Sequence, residues 1–95
     1  MTFRIAIVGI IVEQPENAAK VNHLLSGCRR YIVGRMGVPL ARRDANVISV
    51  VLDAPADEVN ALAGKLSASP GVSAKAVFSR QVFEDLDEYS KEGDI

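Results

Sequence analysis

Cysteine and histidine are scarce in this chain of 95 residues, which has one of each. The single cysteine, Cys28, excludes a disulfide within the chain and any zinc or iron–sulfur site built from several cysteines of one chain. The single histidine, His23, has no acid and nucleophile partners at a spacing that suggests catalysis. We therefore expect no metal site, no cofactor and no enzymatic activity.

The chain also lacks a strong net charge and a long apolar run. A formal net charge of −1 argues against direct DNA binding, because free-standing nucleic-acid binders are usually strongly basic. The apolar N-terminal stretch contains Arg4 and ends at Glu13, short of the roughly 18 residues that a membrane span needs. No signal-peptide cleavage site follows it. We expect a cytoplasmic protein without membrane contact.

The charges that are present are distributed unevenly. Residues 1–79 carry nine Lys or Arg and six Asp or Glu, whereas residues 80–95 carry two and six. With 48% hydrophobic residues, the chain is long enough for one small core. These features predict one domain over residues 1–79, followed by an acidic C-terminal tail over 80–95. In the tail, Val82, Leu86 and Tyr89 have helical spacing.

Four segments rich in β-branched residues are separated by two amphipathic helical segments. The predicted strands span residues 3–12, 29–38, 46–52 and 72–78, and the predicted helices span 15–28 and 55–66. The resulting order is β-α-β-β-α-β. This order predicts an α+β ferredoxin-like sandwich, in which two helices cover one face of a four-stranded antiparallel sheet.

The first predicted strand is apolar on both of its faces. Phe3, Ile5, Ile7 and Ile11 alternate with Ala6, Val8, Ile10 and Val12. Two helices can cover only one face, so a second copy of the chain or a different protein must cover the other. We expect a homo-oligomer joined through that face, and we interpret the face that carries Ile10 as the one that the helices leave uncovered.

Five segments of the chain resemble one family of small proteins. They are IAIVGIIVE at 5–13, YIVGRMGVP at 31–39, ISVVLDA at 48–54, LAGKL at 62–66 and SPGVSAKAVFS at 69–79. Together they resemble the iron-only hydrogenase system regulators of the TM1266 type. The resemblance implies an ACT-like fold, similar to the C-terminal domain of the nickel-responsive regulator, and a regulatory oligomer. The strand histidines that hold nickel in that regulator have no counterpart here.

A short motif on the second predicted strand, Gly34-Arg35-Met36-Gly37, is a candidate ligand site. Its glycines permit close approach of another backbone, and Arg35 is suited to pair with a carboxylate or phosphate. The alternative is that the glycines serve a β-bulge or a contact between sheets, with Arg35 solvated. The motif lacks the features of a phosphate-binding P-loop.

A second candidate ligand site follows from the resemblance. ACT-like domains commonly hold a ligand between the loop after the first strand and a neighbouring subunit. In this chain the corresponding residues are Gly9, Glu13, Gln14 and Asn17. The alternative for Gly9 is a bulge or a close crossing of sheets.

Three functions are consistent with the sequence. The first is a homo-oligomeric regulatory domain that binds a small-molecule effector. The second is an adaptor or assembly protein that binds a protein partner through its apolar face and acidic tail. The third is a direct transcriptional regulator, which would require an oligomer to collect several arginines on one surface. They are Arg29, Arg30, Arg35, Arg42 and Arg43.

Overall fold

The structure, a computed structural model, describes residues 1–84. Within this range the elements are β1 (Thr2–Val12), α1 (Ala18–Ser26), β2 (Ile32–Leu40), β3 (Ala45–Ala54), α2 (Ala56–Ser67), β4 (Val72–Phe78) and β5 (Phe83–Glu84). The predicted order of strands and helices is confirmed, as is the α+β sandwich. The sheet has five strands among the described residues and not four, because β5 pairs with the start of β1.

The sheet is antiparallel throughout, with the order β2-β3-β1-β4 and β1 at its centre. β2 is an edge strand, and this position tolerates Pro39, which has no N–H for a ladder. A register shift between Ile32 and Gly34 bulges β2 near its beginning. The bulge agrees with the alternative given above, in which the glycines of this strand serve a β-bulge.

Both α-helices pack on one face of the sheet. Their apolar stripes are Val21 and Leu25 on α1, and Val59, Leu62 and Leu66 on α2. The facing strand residues in the core are Ala6, Val8, Ile10, Val12, Ile48, Val50, Leu52, Ala54 and Val72. No helix within residues 1–84 is long and apolar enough to cross a membrane.

The expectation about which face the helices leave uncovered was wrong. Ile10 is 0% exposed and lies in the core, whereas Ile7 is 45% exposed on the opposite face. In the antiparallel register, Ile10 lies beside Ile48 and Ala74, while Ile7 lies beside Val51 and Val77. The uncovered face therefore carries the odd-numbered residues of β1.

Two boundaries near α1 differ from the prediction. Pro15–Asn17 forms a 3₁₀ turn, so the α-helix begins at Ala18. Arg29–Tyr31 forms a second 3₁₀ turn, which delays the start of β2 to Ile32. As a result α1 has only nine residues. Of the tail residues with helical spacing, Leu86 and Tyr89 lie outside the described residues.

Candidate functional site

The sheet face opposite the helices, called the open face below, is apolar and exposed. Ile5, Ile7 and Ile11 of β1 lie on it, flanked by Val38 of β2 and Val77 of β4. The exposure of these five side chains ranges from 43% to 67%. A sheet face that stays in water normally alternates to polar residues. The composition of the open face is thus typical of a contact surface.

A more polar band crosses the middle of the open face. Met36, Ser49, Gly9 and Lys75 lie beside one another on successive strands. A Cβ placed on Gly9 would meet nothing within 4 Å, so the space above this residue is open. The band thereby combines a hydroxyl, an ammonium group and a thioether between two apolar rows.

The loop after β1 is bonded to the turn between α2 and β4. The backbone N–H of Glu13 donates to the carbonyl oxygen of Gly71 at 2.7 Å. The side-chain amide of Asn17 donates to the carbonyl oxygen of Pro70 at 2.5 Å and to Oε1 of Gln14 at 3.3 Å. The polar groups of Gln14 and Asn17 therefore already hold two loops together. Their predicted role in ligand binding stays a prediction.

The Gly34–Gly37 motif is divided between the two faces of the sheet. Gly34 and Met36 lie on the open face, and Arg35 and Gly37 lie on the helix side. The eight predicted site residues consequently form three separate groups. They are Gly9, Gly34 and Met36 on the open face; Glu13, Gln14 and Asn17 in the loop; and Arg35 and Gly37 on the helix side of β2.

Arg35 spans a groove between α1 and the edge strand, called the α1–β2 groove below. Its Nη2 donates to Oδ1 of Asn22 at 2.9 Å. On one side of this bond is a cavity of about 370 Å³ lined by Asn22, Leu25, Ser26, Arg29, Ile32 and Arg35. On the other side is a second cavity of about 290 Å³, which shares Asn22 and Arg35 and reaches Gly37 and Pro39.

The groove lies where the helices leave the helix side of the edge strand β2 uncovered. Every residue of β2 after Ile32 is exposed. Of the groove residues, sequence reasoning connected Arg35 with an anion and missed Asn22 and Ser26. A signal was available for these two: Asn22 and Ser26 are four residues apart, which places both polar side chains on one side of the predicted helix.

A different cleft, between the two helices, contains His23, Cys28, Glu58 and Lys65. Cys28 is half-buried and packs against the core. Burial raises the pKa of the Cys28 thiol, Glu58 raises it further, and Lys65 opposes the shift. The thiol is thus protonated and weakly nucleophilic at neutral pH. Among residues 1–84, no three His, Cys, Asp or Glu side chains lie close enough together to hold a metal ion.

The fold defines the general class of protein, an α+β domain of ferredoxin-like architecture. Two solved structures share this fold at low sequence identity. The C-terminal domain of the MgtC protein from Mycobacterium tuberculosis is 16% identical with a TM-score of 0.66, over 83% of this chain and 90% of that one. A formyltetrahydrofolate deformylase from Pseudomonas putida KT2440 is also 16% identical, with a TM-score of 0.61, over 81% of this chain and 29% of that one.

The particular family is shown by sequence as well as by fold. Residues 4–76 match the TM1266-like family, whose description assigns its members provisionally as iron-only hydrogenase system regulators. The uncharacterized protein TM1266 from Thermotoga maritima is 32% identical, with a TM-score of 0.78, over 82% of this chain and 99% of that one. The chain belongs to the TM1266-like family. No curated protein matches it.

Proposed function

We propose that the chain is a non-enzymatic regulatory domain of the ACT-like kind, which works as a homo-oligomer joined through the open face. Family membership supports a regulatory role, and the family description connects that role with iron-only hydrogenase systems. The observation that carries the proposal is the exposure of Ile5, Ile7 and Ile11 in the middle of a folded sheet.

The size of the open face supports this proposal. From Ile5 to Ile11 the open face extends about 20 Å along β1, and four strands give it a width of about 15 Å. The product is a face of about 300 Å², in which two apolar rows flank the more polar band through Gly9. Exposed patches of about this size are often functional. A second copy of the same face supplies a matching apolar surface, and two-fold association needs no further component.

Regulation would then follow from linkage between ligand binding and assembly. A ligand that binds one arrangement of the subunits more tightly than another shifts the population toward it, by no more than the difference in the two affinities. Because residues 1–84 hold no helix-turn-helix, with α1 followed by a 3₁₀ turn and β2, we assign an effect on transcription to a second protein.

The oligomeric state in solution tests this proposal. We expect light scattering on the full chain to give the mass of a dimer or larger assembly, and Ile7→Glu to reduce it to that of a folded monomer. The matched control is Asn60→Glu, which adds the same charge at an exposed position of α2 and should leave the mass unchanged. Circular dichroism confirms that each variant is folded.

Two results would overturn self-association through this face. One is a wild-type monomer at all accessible concentrations, which would instead indicate a different protein on the open face and support the adaptor function. The other is an Ile7→Glu variant that keeps the wild-type mass. In that case the copies associate through another surface.

A further inference from the structure

The α1–β2 groove has the chemistry of a binding site for a small anion. Its larger cavity, of about 370 Å³, is within the size range of small-molecule sites. Arg29 and Arg35 supply two guanidinium groups, and Asn22 and Ser26 add an amide and a hydroxyl. No carboxylate lines either of the two cavities. The polar lining therefore favours a negatively charged ligand group.

Arg35 reaches across the groove to a partner on α1. Its hydrogen bond to Asn22 holds the guanidinium between strand and helix. A guanidinium has five N–H donors, so one bond to Asn22 leaves others for an oxyanion. Holding a long side chain in place reduces the entropy that binding would otherwise lose. Asn22 is in this sense a positioning residue for Arg35.

The floor of the groove is apolar. Leu25 and Ile32 line the same cavity as the two arginines, with Leu25 fully buried beneath it and Ile32 half-buried. A site that combines donors on one side with an apolar floor suits a molecule that has both an oxyanion and a short hydrocarbon part. Inorganic phosphate would use only the hydrogen-bond donors and would leave the apolar floor without a contact.

We propose that the α1–β2 groove binds a small carboxylate- or phosphate-bearing molecule, whose oxyanion accepts hydrogen bonds from Arg35 and Arg29 and whose apolar part lies on Ile32, above the buried Leu25. This inference deepens the proposed regulatory function, on which the ligand's role as an effector rests. Binding itself takes place within one chain and is measurable whether or not copies associate.

The test is an NMR titration of the ¹⁵N-labelled full chain with inorganic phosphate, acetate and butyrate at constant ionic strength. We expect saturable shifts centred on the amides of residues 22–35, with butyrate binding more tightly than acetate. Arg35→Gln and Arg29→Gln should each weaken butyrate binding at least about tenfold, equivalent to about 1.4 kcal/mol. Asn22→Ala should weaken it less, because it releases Arg35 without removing its charge.

Arg43→Gln is the matched control, since it removes the same charge from the connection between β2 and β3, outside the groove. It should change the affinity less than twofold. The proposal is overturned if Arg43→Gln weakens binding as much as Arg35→Gln, because attraction is then a property of the whole basic surface. It is also overturned if none of the three anions gives saturable shifts. Neither result bears on the oligomeric mass, so failure here is distinct from failure of the proposed assembly.

Discussion

Substitutions at two isoleucines three residues apart on β1 should distinguish the stability of a single chain from the stability added by association of copies. Ile10 is 0% exposed in the core, and Ile10→Ala should lower the free energy of unfolding by about 2–5 kcal/mol through lost burial and a residual cavity. That is a large share of the total for so small a domain, which is typically about 5–10 kcal/mol.

Ile7 should behave differently because it is 45% exposed. Full burial of an isoleucine side chain is worth about 1.5–3 kcal/mol, so a half-exposed one contributes about 1 kcal/mol to an isolated chain. If a second copy covers the open face, Ile7 contributes about 1 kcal/mol more per chain. This second contribution depends on protein concentration, since it requires association.

The assay is urea unfolding followed by circular dichroism, at about 1 µM and about 100 µM protein. For a self-associating wild type the midpoint should rise with concentration. Ile10→Ala should lower both midpoints and keep most of the rise, whereas Ile7→Ala should reduce the rise. Equal losses for the two variants at low concentration would refute the assignment of faces. A wild-type midpoint that is independent of protein concentration would refute the proposal that a second copy covers the open face.

Two glycines and one cysteine give further predictions. Gly71 has φ +72°, and an added Cβ would lie 2.5 Å from Cγ of Gln14, so Gly71→Ala should destabilise the chain by about 1–3 kcal/mol in urea unfolding. Gly64 lies inside α2 with open space around its Cα, so Gly64→Ala should stabilise by about 0.5–1 kcal/mol in the same assay, and a loss would indicate a neighbour packed there. Glu58→Gln should lower the pKa of Cys28 by removing a nearby negative charge, and so increase the rate of iodoacetamide alkylation near pH 8. An unchanged pH–rate profile would contradict that coupling.

The order of strands and helices was predictable because four segments are rich in β-branched residues and the two segments between them have a clear apolar period of 3.6. Which face of β1 the helices cover was not predictable from that strand, since Ile5, Ile7 and Ile11 are as apolar as Val8, Ile10 and Val12. The decisive signal lay on the neighbouring strands. Ser49 of β3 and Lys75 of β4 both pair with Gly9 and mark its face as the one that the helices leave open. To use this signal, one must know the pairing register of the strands as well as their positions in the sequence.

The candidate site was harder to predict than the fold, for two different physical reasons. Strand alternation alone separates Arg35 and Gly37 from Gly34 and Met36, so the division of the motif was available from the sequence once it was placed on a strand. The contact of Arg35 with Asn22 was not, because it depends on where α1 lies relative to an edge strand thirteen residues further along the chain. Periodicity determines which face a residue occupies, and only the packing of α1 on the sheet determines what it meets.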